Sequence, residues 1–100
     1  MKKIAPRATK KAAAILPSEH PITQVNLIDY LIAGAVTELL VAEFEHGTYR
    51  LEASLSWKSG KCVLMAARGA PRAFRSLDTI ANFLRSVGMG STVVRMELKT

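Results

Sequence analysis

The amino-acid sequence predicts a two-layer α+β domain, with two helices covering one face of a four-stranded antiparallel sheet in the chain order α-β-β-β-α-β. Two segments place apolar residues at steps of three and four, the spacing of one helix face, while other segments alternate apolar and polar residues as half-buried strands do. Helical stripes of this kind need a common apolar surface to cover, and a sheet provides one. With 100 residues, the chain has room for a single core.

The first predicted helix runs from Thr23 to Val36. It follows an arm and linker at residues 1–21, so that the domain occupies residues 22–100. The hydroxyl of Thr23 can accept a backbone N–H of the first turn, which makes this residue a suitable helix cap. Gly34 weakens the C-terminal end of the helix. The apolar stripe consists of Val25, Ile28, Leu31, Ile32, Ala35 and Val36, and Leu27 widens it.

Three strands are predicted next, as an antiparallel meander. Leu39–Glu45 leaves two alternatives, a continuation of the helix or a first strand. His46-Gly47 and Ser59-Gly60 are two-residue turn signals that separate the strands. The third strand of this meander, Cys62–Ala67, is almost wholly apolar and therefore suits the middle of a sheet.

The strand between the two turns has the clearest pattern. One face, expected in the core, carries Tyr49, Leu51, Ala53, Leu55 and Trp57. The opposite face of the whole sheet is expected to be polar, and it carries Arg50, Glu52, Ser54, Ser56, Arg95 and Glu97.

A second helix and a closing strand complete the predicted fold. Ser76 caps the helix, and Gly88 ends it in the left-handed conformation that glycine adopts readily. The closing strand spans Thr92–Leu98. The apolar face of this helix carries Leu77, Ile80, Ala81, Leu84 and Val87.

The net charge of +6 is concentrated at one terminus. Residues 18–100 hold nine basic and eight acidic side chains, so the domain is close to neutral. The arm is predicted to be disordered and to be either a phosphate-tracking segment of a DNA-associated protein or a solubilising terminus. Residues 1–17 carry no acid and five cations, which are Lys2, Lys3, Arg7, Lys10 and Lys11.

A basic loop precedes the second helix and is the main candidate binding site in the domain. Arg68, Arg72 and Arg75 lie immediately before the cap at Ser76. Free backbone N–H groups and the dipole of a helix N-terminus attract phosphate and carboxylate groups, and arginines beside them strengthen that attraction. The alternative is that these arginines form salt bridges with Asp78, Glu43 or Glu52.

The residues required for catalysis are scarce. The histidines are His20 in the linker and His46 in a turn, and Cys62 opens an apolar strand. No spacing supports a Cys62–His46 dyad, a metal site or a nucleotide-binding loop, so we predict no enzyme activity, no metal and no cofactor. One cysteine excludes an internal disulfide, and the absence of a signal-like or membrane-spanning segment predicts a cytoplasmic protein.

The block R-G-A-P-R-A-F-R-S-L-D-T-I-A-N-F-L-R-S-V-G, residues 68–88, resembles the small ParC-type partition-associated proteins encoded on plasmids. The resemblance lies in the arginine-rich loop, an aromatic residue, the S-L-D cap and the leucine-rich helix that ends at glycine. It implies a non-enzymatic accessory factor of plasmid maintenance that acts with DNA or with partition proteins.

Two functions follow from these features. In the first, the protein is a DNA-associated accessory protein of a plasmid or other mobile element, and the arm and the basic loop contact phosphates with little sequence readout. In the second, it is a protein-interaction module, an adaptor or an inhibitor, that uses the acidic region Glu38–Glu52 or the polar sheet face. A homodimer through Thr23–Val36 or through an edge strand is compatible with both.

Overall fold

The structure, a computed structural model, describes residues 19–67, 69–88 and 92–99. Their secondary-structure elements, in chain order, are β1 (His20–Ile22), α1 (Gln24–Ile32), β2 (Val36–Glu45), β3 (Thr48–Leu55), β4 (Lys58–Leu64), α2 (Leu77–Ser86) and β5 (Val94–Glu97). The α+β class is confirmed.

The sheet has five strands in the order β1-β4-β3-β2-β5. The antiparallel meander β2-β3-β4 is confirmed, but the edge strands β1 and β5 pair parallel with β4 and β2, so the predicted four-stranded antiparallel sheet was wrong in this detail. Parallel pairing needs a crossover, and the chain makes one through α1 and another through α2. The first two residues of strand β1, His20 and Pro21, lie in the predicted linker, because three residues with a central proline show no alternation that would predict a strand.

Helix α1 begins where the sequence predicts and ends earlier. Thr23 Oγ1 accepts the N–H of Asn26 at 3.1 Å, and Asn26 Oδ1 accepts the N–H of Thr23 at 3.4 Å. The helix ends at Ile32, and Gly34 then turns the chain at a φ of 72°, which glycine adopts at little cost. The predicted continuation to Val36 was wrong, because Val36 opens β2.

The predicted apolar stripe of α1 was also wrong in part. Two of its members, Val25 and Ile32, are 66% and 79% exposed, whereas Leu27 is fully buried. The partly buried side chains beside Leu27 are Ile28, Tyr30 and Leu31. Apolar residues occur on almost every side of this helix, so their spacing does not identify which side packs on the sheet.

The meander differs from its prediction at one turn. Leu39–Glu45 belongs to strand β2, and His46-Gly47 forms the expected hairpin turn. The next turn is at residues 56–57 and not at Ser59-Gly60, which lies within β4. Trp57 therefore lies outside β3, is 59% exposed and packs edge-on against Tyr30, so its predicted core position was wrong.

The core lies between one sheet face and the two helices. The Ser76 cap is confirmed by a hydrogen bond of 3.1 Å from the N–H of Thr79 to Ser76 Oγ, and Gly88 has the expected positive φ of 74°. Leu77 is exposed, in contrast to its prediction. The core residues from the sheet include Leu39, Val41, Leu51, Ala53, Leu55, Cys62 and Leu64, and those from α2 and its approach are Phe74, Ile80, Phe83, Leu84 and Val87.

The opposite sheet face is not the exposed polar surface that the alternation predicted. Leu40 and Val63, which flank Glu52 in the strand register, are 3% and 0% exposed. Arg50 is buried there and forms ion pairs of 2.7 Å with Glu19 and 2.8 Å with Glu52, here called the Glu19–Arg50–Glu52 cluster. Buried charges require such partners, because they lose the solvation that water provides.

Glu43 connects the β2–β3 turn to the end of β5. Its Oε2 accepts the N–H of Gly47 at 2.6 Å, and its Oε1 accepts the N–H of Lys99 at 2.8 Å. The side chain is 7% exposed. These two backbone donors stabilise the charged carboxylate and lower the pKa of Glu43 below its usual value of 4.5.

We expect Glu43→Gln to lower the free energy of unfolding at neutral pH, by an amount that shrinks in acid. Because the folded-state pKa of Glu43 is lowered, its contribution to stability is complete above the unfolded value of 4.5 and is lost as the pH falls through the folded pKa. Urea unfolding of both proteins from neutral pH into acid measures this difference. Glu45→Gln, at an exposed position, is the control. A difference that did not change with pH would contradict the expectation.

Candidate anion-binding cleft

The structure describes two of the eight cations that the sequence nominates for nucleic-acid binding, Arg72 and Arg75. Arg75 is exposed one residue before the α2 cap, as predicted. Arg72 instead contacts the start of α1. Its Nη1 donates a hydrogen bond of 3.3 Å to Oε1 of Gln24, the first residue of that helix. The other six lie outside the described residues: Lys2, Lys3, Arg7, Lys10, Lys11 and Arg68.

Two aromatic rings hold the guanidinium of Arg72. Its Cζ lies 5.0 Å from the ring centre of Phe74 and 4.6 Å from that of Phe83, and the two rings are 5.3 Å apart. Cation–π contacts of this kind contribute about 0.5–2 kcal/mol each. The Arg72 backbone is fixed as well, because its N–H donates to Leu64 O at 2.9 Å. The charged group is therefore positioned before any ligand arrives.

A cleft of about 510 Å³ opens between the start of α1 and the loop that follows β4. The first turn of α1 contains no acidic residue. The residues that line the cleft are Thr23, Gln24, Val25, Met65, Ala66, Ala67 and Arg72.

The cap of α1 leaves donors at the cleft. Thr23 accepts the N–H groups of Asn26, through its hydroxyl, and of Leu27, through its carbonyl. Within the described residues, the N–H groups of Gln24 and Val25 have no acceptor. Free N–H groups at a helix start carry partial positive charge, and Arg72 adds a full charge beside them. The combination favours an anionic ligand.

Salt bridges to acidic residues were the alternative to anion binding for the basic loop. Within the described residues, Arg72 forms none of them. Glu52 pairs with Arg50, and Glu43 accepts backbone N–H groups. The side-chain contacts of Arg72 are instead Gln24 and the two rings. Gln24 is neutral, so the positive charge of Arg72 stays available to a ligand.

Within the described residues, the structure does not bring Cys62 and His46 together as a dyad, whereas His20 of β1 lies beside Cys62 of β4 in the strand register. His46 is exposed in the β2–β3 turn, while Cys62 is buried in β4 opposite Ala53, and burial raises the pKa of its thiol. His20 Nε2 lies 3.3 Å from Ser59 O. Within residues 19–67, 69–88 and 92–99, no group of three or more His, Cys, Asp or Glu side chains could hold a metal ion. No helix in these ranges is long and apolar enough to cross a membrane.

Two further features were not identified from the sequence. The Glu19–Arg50–Glu52 cluster joins residues 31 positions apart, and no local pattern signals such a contact. The closing strand exposes apolar side chains, with Val94 at 37% and Met96 at 46%. The alternation V-R-M-E-L predicts this strand, but it does not indicate that the apolar side chains stay exposed.

Comparisons with models of known protein families, with curated proteins and with solved protein structures found no match. The resemblance of residues 68–88 to ParC-type proteins therefore stays a prediction.

Proposed function

We propose that the protein is a non-enzymatic, DNA-associated accessory protein of a plasmid or other mobile element. The observation that supports this best is Arg72, whose guanidinium is fixed beside the uncapped N–H groups at the start of α1. The assignment to a mobile element rests on the ParC-type resemblance. In this proposal the ligand of the cleft is a backbone phosphate.

The chemistry of the cleft suits a phosphodiester. Phosphate oxygens accept hydrogen bonds from helix N-termini and pair with guanidinium groups. The apolar floor at Met65–Ala67 suits the sugar carbons on either side of the phosphate. Such contacts hold the nucleic acid without reading its bases, so we propose binding with little sequence preference.

The other cations extend the contact beyond the cleft. Arg75 is exposed three residues after Arg72, and the arm supplies five more positive charges. Binding that depends on several phosphate contacts weakens steeply with salt, because each contact releases a condensed counterion. The proposal therefore predicts that affinity falls as salt rises.

We expect the double variant Arg72→Gln/Arg75→Gln to bind duplex DNA more weakly and with a smaller salt dependence. Each lost phosphate contact lowers the slope of log affinity against log salt by about 1, so the double variant loses about 2. Fluorescence anisotropy of the full chain with a random-sequence duplex, over a series of salt concentrations, measures both quantities.

The matched control is Lys58→Gln/Arg85→Gln, which removes the same charge. Lys58 lies at the opposite end of β4 from the cleft, and Arg85 lies in the last turn of α2. If Arg72→Gln/Arg75→Gln bound DNA as this control does, the basic loop would not be part of the DNA-binding surface. Absence of binding at low salt, or tight binding that salt does not affect, would refute DNA association itself.

A second candidate function is a protein-interaction module, and the exposed apolar side chains of β5 favour it. The acidic region named for this role supports it less, since Glu38 pairs with Arg95 at 3.0 Å and Glu52 and Glu43 are engaged within the chain. Affinity capture with a full-length protein whose arm cations are changed to glutamine separates the two functions. A specific partner retained after nuclease treatment would favour the module.

A further inference from the structure

The outer edge of β5 carries the features of a pairing surface. Strand β5 is the outermost strand of the described sheet and pairs on its inner side with β2, in the register Leu39 to Val94 and Val41 to Met96. An outermost strand presents unpaired backbone groups, and proteins usually protect such edges with proline, with charge or with a covering segment.

The direction of the backbone groups follows from two hydrogen bonds. The N–H of Leu39 donates to Val93 O at 2.8 Å, and the N–H of Lys99 points back to Glu43 at 2.8 Å. Backbone groups alternate in direction along a strand. The N–H and C=O groups of residues 93, 95, 97 and 99 therefore point to β2. The N–H and C=O groups of Val94, Met96 and Leu98 therefore point outward.

The side chains at this edge alternate in character. Val94, Met96 and Leu98 are 37%, 46% and 57% exposed. Arg95 and Glu97 project to the other sheet face, and both are exposed. From Val94 to Leu98 the side chains are therefore apolar, basic, apolar, acidic and apolar. Met96 is the central residue, with a positive charge on one side of it and a negative charge on the other.

We propose that the occupant of this edge is the same strand of a second copy of the chain, paired antiparallel about a two-fold axis at Met96. In that register Met96 lies opposite the partner's Met96, and Val94 lies opposite the partner's Leu98. These are hydrogen-bonded pairs, because their backbone groups point outward in both copies. Arg95 lies opposite the partner's Glu97, and this ion pair occurs twice.

The charges exclude the two neighbouring symmetric registers. An axis at Arg95 places that residue opposite the partner's Arg95, and an axis at Glu97 places two glutamates opposite one another. Like charges in directly opposed positions destabilise strand pairs. Only the Met96 axis combines outward backbone groups, a continuous apolar row and opposite charges. The two sheets then form one ten-stranded sheet with no exposed β5 edge.

The ion pair within the chain is compatible with this arrangement. Arg95 Nη2 lies 3.0 Å from Glu38 Oε2, and the Arg95 side chain is 53% exposed. A guanidinium has several N–H donors in a planar fork, so it can serve Glu38 and the partner's Glu97 together. The proposal is independent of DNA binding, since none of the residues that line the cleft takes part in it.

Cysteine cross-linking of the full chain tests the register. Opposed residues in a hydrogen-bonded antiparallel pair have Cα atoms about 5.5 Å apart, within the range of a disulfide. We expect Met96→Cys to form a covalent dimer under mild oxidation. Leu98→Cys alone is the matched control, because its Cα lies about 14 Å from its copy in this register. A mixture of Val94→Cys and Leu98→Cys chains should cross-link to each other.

Charge reversal tests the pairing without cysteine. Arg95→Glu and Glu97→Arg each place like charges opposite one another twice, and we expect each to weaken the dimer at least about tenfold. Mixing the two variants restores opposite charges at both positions, so a heterodimer should form. Native mass spectrometry and light scattering measure these species. A native chain that stays monomeric at high micromolar concentration, or equal cross-linking by Met96→Cys and Leu98→Cys, would overturn the proposal.

Discussion

Phe74→Ala is expected to lower the free energy of unfolding by about 3–5 kcal/mol, the usual cost of removing a fully buried aromatic ring. Phe74 is 2% exposed, and its ring lies 5.3 Å from that of Phe83. Its backbone also exchanges two hydrogen bonds of 2.8 Å with Tyr49, which fix the loop to β3. Domains of this size are stable by about 5–15 kcal/mol, so the substitution removes a large part of the total.

Urea unfolding followed by circular dichroism measures this effect. Phe74→Leu is the control, since it keeps most of the apolar volume and should cost less than about 1.5 kcal/mol. The ring also supports the Arg72 guanidinium at 5.0 Å. The leucine variant should therefore stay folded and bind DNA more weakly. A loss below about 1 kcal/mol for the alanine variant would show that the ring is not part of the core.

Arg50→Met is expected to destabilise the protein by a similar amount, about 3–5 kcal/mol, for an electrostatic reason. Its side chain is 11% exposed and pairs with Glu19 and Glu52, whose side chains are 8% and 6% exposed. Removing the cation leaves two buried carboxylates without this partner. Their attraction to the guanidinium no longer offsets the solvation they lost on folding.

Two further variants separate this cause from lost packing. Adding Glu52→Met to Arg50→Met removes one of the two carboxylates, so the double variant should be more stable than the single variant. Arg85→Met, at an exposed position of α2, should change the free energy of unfolding by less than about 0.5 kcal/mol. If the double variant were the less stable of the two, the ionic explanation would fail.

Local patterns identified the elements that local physics determines. The turn at His46-Gly47 and the alternation after it predicted the β2–β3 hairpin, and the Ser76 cap and Gly88 predicted the ends of α2. Parallel pairing of the edge strands was not predictable in this way. The direction in which β5 joins the sheet depends on a crossover and on contacts with β2, more than 50 residues earlier, and not on its own sequence.

The candidate site shows the same division. The basic loop was recognisable, because arginines cluster immediately before a helix. Its contact with α1 was not, since Gln24 and Arg72 are 48 positions apart. No local pattern indicated that Phe74 and Phe83 come together around the guanidinium. The Ser59-Gly60 signal predicts a turn three residues later than residues 56–57, where the turn lies, and this extends the predicted strand to Trp57 and places that residue in the core.

The buried thiol of Cys62 can be used to measure how often the folded chain opens. Its thiol is 1% exposed in β4, between His20 of β1 and Ala53 of β3 in the strand register. A soluble disulfide reagent reaches the sulfur only when the sheet or its helical cover separates, so the labelling rate reports how often that happens. Because this cysteine is native, no substitution is needed. The dependence of the labelling rate on denaturant concentration would distinguish detachment of one edge from complete unfolding.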